Sequence, residues 1–272
     1  MGLFSGFEHI VRDHTPLAPL TWLRLGGAAE FYAEPTSVEE VASLVCRCHP
    51  AGIAVRILGG GSNVLSQDAG VAGLVVNLTA APVCQITVRE NRISAGGGAR
   101  LGHLVSTAVR EGLAGLEQLV GIPGTVGGAL HGNSGANGAD MGQWTHSATV
   151  MTRTGETLVR GREELRFSYR ESSLDELVIL DAAFVLDEDD PRELTKRMQK
   201  VWIVKRANQP QGNANAGFIF KDVGGVSAAS LIEQAGLKSA RSGEAVVCPQ
   251  NANFIVANTG ASSHDVVRLI EL

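Results

Sequence analysis

"GIPGTVGGALHGNSGANG" spans residues 121–138, and seven of its eighteen residues are glycine. A backbone this bare serves one of two ends. It reaches positive φ angles closed to other residues, or it lets the main chain come close to something. Two smaller clusters repeat the theme, "LGGGSN" at 58–63 and "GGGARLG" at 96–102. Each can turn backbone N–H groups towards an anion. Neither is a dinucleotide fingerprint, because the first lacks G-x-G-x-x-G spacing and the second misplaces one glycine. No glycine loop ends in Gly-Lys-Ser/Thr, so a Walker A loop is absent. Tight structural turns explain any one cluster alone; three in one chain favour a cradle for an extended, phosphate-bearing ligand.

The surrounding chain is that of an ordinary globular protein. Its 272 residues are 44% hydrophobic, enough for one large domain or two to three small ones. Glycine is high, 33 residues or about 12% against a usual 7% or so. A formal net charge of -5, 5% aromatic residues and no long basic run exclude a nucleic-acid footprint. The acidic run "DEDD" at 187–190 reads as a solvated loop. No apolar stretch reaches membrane-spanning length, and the N-terminus has neither a basic leader nor a cleavage pattern; Gly2 followed by Ser5 is only a faint echo of an acylation signal. Cys46 and Cys48 fall on different faces of a helix, while Cys84 and Cys248 stand alone, so no disulfide or metal framework emerges. A reduced, cytoplasmic setting and a monomer are the expectation.

Local patterns organise the chain into three parts. "SVEEVASLVCRCHP" predicts a helix with Ser37 as N-cap, Glu40 completing a capping box, and Val41, Leu44, Val45 and Cys48 on one face. An apolar strand follows and runs into Gly59, Gly60 and Gly61. More strands are expected at 73–78, 84–89 and 92–95. Residues 1–80 thus form a first α/β lobe. A second lobe, 81–203, opens with a helix on Leu101, Leu104, Val105 and Ala108. It continues through the opening stretch to a hairpin turning at Thr154–Gly155, the strand "ELVILDAAFVL" and a helix over 192–207. The third part, 204–272, begins with the loop "NQPQGNANAG" and ends in a helix capped by Ser262 or Ser263. That helix stops after about two turns without a terminating signal, which suggests a truncated C-terminal lobe.

Polar residues crowd the glycines: Ser62 and Asn63 after the first cluster, His131, Asn133, Ser134 and Asn137 within the third, and Glu117 before it. His131 reads as a structural donor rather than a base. Histidine spacing gives no zinc signature, and no G-x-S-x-G elbow is present.

Six segments follow in an order that closely resembles a known family: "TWLRLGGAAEFYAEP" (21–35), "ILGGGSNVLSQDAG" (57–70), "GLEQLVGIPGTVGGALHGNSGANG" (115–138), "YRESSL" (169–174), "NQPQGNANAGFIFKD" (208–222) and "GLKSARSGEAVV" (236–247). Together they resemble the UDP-N-acetylenolpyruvoylglucosamine reductases in their shorter form. The resemblance implies an α+β fold: a two-lobed FAD-binding domain of the vanillyl-alcohol-oxidase/MurB type, plus a C-terminal α/β substrate-binding lobe. It also implies FAD and NADPH as cofactors and a nucleotide-sugar substrate. The cofactor-binding positions it implies are Trp22 and Arg24 in the early motif; Gly59, Gly60, Gly61, Ser62 and Asn63 in the first lobe; Gly98; and Gly121, Ile122, Pro123, Gly124, Thr125, Gly127, Gly128, Ala129, Asn133, Gly135 and Ala136 in the second. Tyr169, Arg170, Lys221 and Asn253 fall at substrate-binding positions. Arg170 matches the family's catalytic arginine, a fixed cation able to hold a carboxylate as charge builds on it.

The chain departs from the family at the proton donor. Where the family's motif places a serine, occasionally a cysteine, after the glycine, this chain reads Gly217–Phe218, and Phe218 has no transferable proton. No hydroxyl or thiol lies between residues 211 and 226. The family's late glutamate would fall beyond Leu272. Asp222–Val223 also replaces Asn–Pro, Asn251 a usual histidine, and Ala257 an asparagine. Three readings stay open: a working reductase protonating its intermediate by another route, a flavin-binding relative with altered or lost turnover, and a nonenzymatic flavoprotein or scaffold. If no flavin binds, an α/β module for another phosphorylated ligand remains.

Overall fold

The computed structural model describes residues 2–79, 81–210 and 214–272, and the side chains of 81 and 82 lie outside the description. Part of the "NQPQGNANAG" loop therefore falls outside the described residues. The chain divides into two compact units. Unit 1 holds Met1–Asp13, Phe31–Gly60 and Gly73–Ile203; unit 2 holds His14–Glu30, Gly61–Ala72 and Val204–Leu272. Unit 2 is thus more than the C-terminal stretch, since it takes in two segments from the first 80 residues.

In unit 1 a helix, Val38–Cys48, buries Val41, Leu44, Val45 and Cys48 on one face, as its spacing dictates. Ser37 caps it, its Oγ accepting from the Glu40 N–H at 3.2 Å, a contact worth about 1 kcal/mol. The reciprocal half of the capping box is replaced: the Glu40 carboxylate accepts instead from the N–H and hydroxyl of Thr36. The following strand, Val55–Leu58, pairs in parallel with Val71–Asn77 through Leu58↔Asn77. They belong to a sheet ordered Val11–Pro16, Ala28–Ala33, Val71–Asn77, Val55–Leu58.

A five-stranded sheet lies wholly within unit 1, ordered Thr157–Gly161, Thr145–Met151, Val178–Val185, Arg92–Gly96, Ile86–Arg89, all antiparallel. The expected hairpin turns at Gly155, at φ 86. Helices Leu101–Arg110 and Val126–His131 supply Leu101, Leu104, Val105, Ala108, Val126 and Leu130 to a core shared with Ile93, Ala148, Val150, Ala182 and Phe184 of this sheet. A separate core joins the first helix to Leu74, Val76, Met151, Val178 and Leu180. Each apolar stripe finds one partner surface, which is what fixes the two layers.

In unit 2, strands Ala214–Asn215, Ile255–Ala257, Ala245–Val247 and Arg241–Ser242 form an antiparallel sheet in that order. One face packs Ala245, Val247, Ile255 and Ala257 against Val266 and Leu269 of the helix Ser263–Glu271, with Leu23, Leu25 and Leu65 in the same core. The other face carries Val246, Cys248, Phe254 and Val256. Ser262 is the N-cap of that helix and forms a full capping box with Asp265. Ser263 instead ties the helix to an early segment, its N–H and hydroxyl both reaching Asp68 Oδ2, at 2.8 and 2.9 Å. That tie explains why 61–72 travels with the C-terminal residues.

Candidate active site

The three glycine clusters divide into two kinds. At 96–98 the glycines are consumed by packing. Gly97 donates its N–H to Leu180 O and Gly98 to Val83 O, at 2.7 and 2.9 Å. A β-carbon would fall 1.9 Å from Ile179 O on Gly97 and 1.6 Å from Leu78 O on Gly98. Gly127 behaves alike, its N–H bonded to Gly97 O at 2.8 Å. These positions need glycine whether or not a ligand is present.

The loop after Leu58 differs. Among the described residues no carbonyl or side chain takes the N–H groups of Gly59, Gly60, Gly61, Ser62 or Asn63. Within unit 1, Gly59 and Gly60 lie against the 124–125 turn. A β-carbon on Gly59 would come 2.5 Å from Thr125 Oγ1, and one on Gly60 3.0 Å from the Gly124 α-carbon. Gly121 and Gly124 take φ of 77 and 107, and among the described residues the N–H groups of Gly121, Gly124 and Thr125 are likewise untaken. Thr125 caps the helix Val126–His131, its Oγ1 accepting from the Gly128 N–H at 3.4 Å. Ile122 and Ala129 pack into the core beneath, and Gly135 and Ala136 pair with Asp140 and Ala139 in a small hairpin. Two bare loops in contact, with spare N–H donors, offer a main-chain donor surface suited to an anion.

In unit 2, Gly61 takes φ 64 and accepts the Trp22 N–H on its carbonyl at 2.9 Å. The Trp22 ring is 47% exposed. Arg24, at φ 58, sends its guanidinium to Pro19 O. Ser62 is half-buried and Asn63 exposed.

The expected catalytic arginine sits on a strained turn. Phe167–Ser168 and Glu171–Ser172 form a two-residue hairpin with Ser168 opposite Glu171, so Tyr169 and Arg170 are its tip. Arg170 lies at φ 54, where glycine or asparagine is usual, a penalty of about 1–2 kcal/mol. Its guanidinium stands 5.8 Å from the centre of the exposed Tyr169 ring. Asn133, nine-tenths and more buried, donates from Nδ2 to Ser168 O at 2.8 Å and accepts the Gly142 N–H on Oδ1 at 2.9 Å. His131 serves as the structural donor expected, its Nδ1 2.9 Å from Leu174 O. Glu117 is also structural: buried, it accepts the Gly115 N–H at 2.7 Å.

In unit 2, Gly217 at φ 77 leads into Phe218, whose ring lies 4.8 Å from that of Phe254 and is 41% exposed. Asn253 is buried and its amide grips Phe220, accepting the N–H at 2.8 Å and donating to the carbonyl at 3.0 Å. It shapes the 217–222 loop, on which Lys221 is exposed. Beside the same sheet face lies a cavity of about 460 Å³ lined by Pro210, Ser239, Arg241, Cys248, Gln250 and Asn258 among others. Sequence reasoning gave no role to Ser239, Arg241 or Gln250, although the first two lie in the segment "GLKSARSGEAVV"; in the structure Ser239 takes a left-handed conformation at φ 65.

Comparison with known proteins agrees with this geometry. A family model described as "FAD binding domain" matches residues 29–161, which contain both donor loops. A second, "UDP-N-acetylenolpyruvoylglucosamine reductase, C-terminal domain", matches 209–272. The UDP-N-acetylenolpyruvoylglucosamine reductase of Rhodopirellula baltica is 37% identical over 262 residues, covering 96% of this chain and 86% of that one. The enzyme of the same name from Listeria monocytogenes is 37% identical over 272 residues, 98% and 90% of the two chains. The crystal structure of UDP-N-acetylenolpyruvylglucosamine reductase (MurB) from Thermus caldophilus superposes with a TM-score of 0.83 at 33% identity, covering 96% and 94%. The Bermuda grass isoallergen BG60, at 14% identity and a TM-score of 0.51 over 68% of this chain and 43% of that one, shares the fold alone.

The untaken N–H groups of Gly59, Gly60, Gly121, Gly124 and Thr125, with bare α-carbons in contact between them, fit the pyrophosphate of FAD. Fold, donor loops and near full-length similarity lead to one conclusion: the chain belongs to the UDP-N-acetylenolpyruvoylglucosamine reductase family.

Proposed function

We propose that this protein is an NADPH-dependent flavoenzyme that reduces the enolpyruvyl group of UDP-N-acetylglucosamine enolpyruvate, giving UDP-N-acetylmuramate for peptidoglycan precursor synthesis in the cytoplasm. The observation that carries the reading is the set of spare main-chain donors in residues 59–60 and 121–125, inside the stretch that matches an FAD-binding domain. FAD supplies a two-electron carrier able to accept hydride from NADPH and deliver it to the enolpyruvyl double bond.

The chain's own residues do the rest. The donor loops neutralise pyrophosphate charge without side chains, and the missing β-carbons let the two loops approach. Arg170 stabilises the negative charge that gathers on the substrate carboxylate as hydride arrives. An interaction stronger in the transition state than before it is the kind that accelerates the step. Holding Arg170 at φ 54 sets the direction in which its side chain leaves the hairpin tip. The cavity lined by Ser239, Arg241, Gln250 and Asn258 offers one cation and several polar groups to the nucleotide-sugar.

Protonation of the neighbouring carbon is where this chain differs from its motif. Phe218 has no acid to give, but its ring is 41% exposed, which leaves solvent access at that position, and water is the donor we assign. Without a positioned acid the step is slower by about 10²–10⁴-fold. The alternative, a flavin-binding relative without this turnover, rests on the same Phe218. Anaerobic mixing separates them. Bleaching of the bound flavin by NADPH, followed by reoxidation on adding the enolpyruvyl sugar nucleotide, is expected; bleaching without reoxidation favours the alternative, and a protein that binds no flavin sinks both.

A further inference from the structure

We propose that Asn133 is the positioning residue for Arg170. It acts through the main chain of the hairpin rather than by contact with cofactor or substrate. The inference rests on the role given above to Arg170.

The hairpin that presents Tyr169 and Arg170 has only two residue pairs, Phe167↔Ser172 and Ser168↔Glu171, too few to hold a shape unaided. Its tip contains a non-glycine residue in the left-handed region, Arg170 at φ 54, a conformation that persists only where surrounding structure enforces it. Three ties from the 131–133 turn supply that enforcement. The Ser172 hydroxyl donates to His131 O at 2.9 Å, and His131 Nδ1 reaches Leu174 O at 2.9 Å. Both act on the outgoing strand. Asn133 Nδ2 alone among these grips the incoming strand, at Ser168 O, the residue directly before the tip.

The Asn133 side chain cannot flip without loss. The Gly142 N–H requires an acceptor on one end of the amide and Ser168 O requires a donor on the other, so the two contacts fix which end is which. The residue is also 3% exposed and sits at φ 40, a conformation asparagine tolerates better than most. Both ends of its amide are occupied inside the fold, one by the hairpin at Ser168 and the other by the Gly142 N–H of the helix Met141–Trp144, so Asn133 ties the hairpin to that helix. An embedded polar residue in a glycine-rich motif thereby acquires a role in the half of the reaction that involves substrate.

The test compares Asn133→Asp with the unaltered holoenzyme. Aspartate tolerates positive φ and keeps an acceptor for Gly142, but sets an oxygen against Ser168 O. Hydrogen exchange of the amides in 167–174 is expected to speed up. Flavin affinity and the rate of flavin reduction by NADPH are expected to stay within about twofold. Reoxidation by the enolpyruvyl sugar nucleotide is expected to fall by about 10- to 100-fold, the usual effect of misplacing a group by about 1 Å. In combination with Arg170→Ala the two losses should not multiply. Unchanged exchange in the hairpin would overturn the proposal, as would equal losses in flavin affinity and in both half-reactions. Should Arg170→Ala alone leave reoxidation untouched, the role of Arg170 falls, while the exchange data still report whether Asn133 holds the hairpin. If Asn133→Asp does not fold, Asn133→Gly, which accepts positive φ freely, must show the same faster exchange or the proposal fails.

Discussion

Gly60 and Gly124 meet main chain to main chain: a β-carbon on Gly60 would stand 3.0 Å from the Gly124 α-carbon. Two loops far apart in sequence are thereby set side by side with donors to spare. Gly60→Val would force them apart, an overpacking penalty of about 1–3 kcal/mol. If that penalty falls on the bound state, FAD affinity drops by about 10- to 100-fold. Flavin retained per mole of purified protein, and a dissociation constant from flavin fluorescence, would read it. A variant that keeps its flavin at the parent's affinity would show that these loops do not hold the cofactor.

Phe218 offers the opposite experiment, a gain. Phe218→Ser restores a hydroxyl at the position after Gly217, and its exposure means that little packing is lost beyond the ring contact with Phe254. Turnover should rise by up to about 10²–10⁴-fold if the absent acid limits the rate. The rise should appear in flavin reoxidation by substrate and not in reduction by NADPH. No rise in either would remove protonation as the slow step.

Asn253 bridges the two main-chain polar groups of Phe220. Asn253→Ala would remove both contacts, and each lost hydrogen bond costs about 0.5–1.5 kcal/mol. Urea unfolding should shift to a lower midpoint by a corresponding amount. Proteolytic nicking should concentrate at 217–226, because the same side chain shapes that loop. A variant as stable as the parent would mean the loop is held by other contacts.

Burial pushes the Lys205 ammonium from 10.5 down to about 8. Between those values the unfolded chain carries a proton on this lysine that the folded chain has given up. Stability therefore rises with pH across about 8 to 10.5, and below that window the burial penalty applies in full. Lys205→Met should melt higher than the parent at neutral pH, and the gap should narrow as pH climbs through the window. A difference that stays constant from neutral pH to the top of the window would rule out the burial of this charge.

Much of the fold was legible because it rests on periodicity. Val41, Leu44, Val45 and Cys48 share a helix face by spacing alone, and Gly155 marks its hairpin by turn chemistry. Glycine roles were not legible to the same degree. Gly98 and Gly60 look alike in sequence, yet Gly98 gives its N–H to Val83 O while Gly60 keeps its own; only the strands that pack around them distinguish the two. Asn133 and Asn253 stand at positions that the resemblance assigns to ligands, whereas their amides are engaged by Ser168, Gly142 and Phe220. Side-chain orientation at that level depends on partners 9 to 35 residues away, which no local pattern encodes. The grouping of 14–30 and 61–72 with the C-terminal residues escaped for the same reason, since it turns on contacts such as Asp68 with Ser263, 195 residues apart.

That grouping bears on how the chain is made. Residues 14–30 and 61–72 leave the ribosome early, but the partners that complete their unit lie at 204–272. Until residues 204–272 have been made, Leu23, Leu25 and Leu65 have no apolar surface of their own core to cover them. The nascent protein therefore carries two unfinished segments until those residues follow, a period in which a chaperone or an aggregation-prone neighbour can reach them. Deleting the C-terminal stretch would make that exposure permanent.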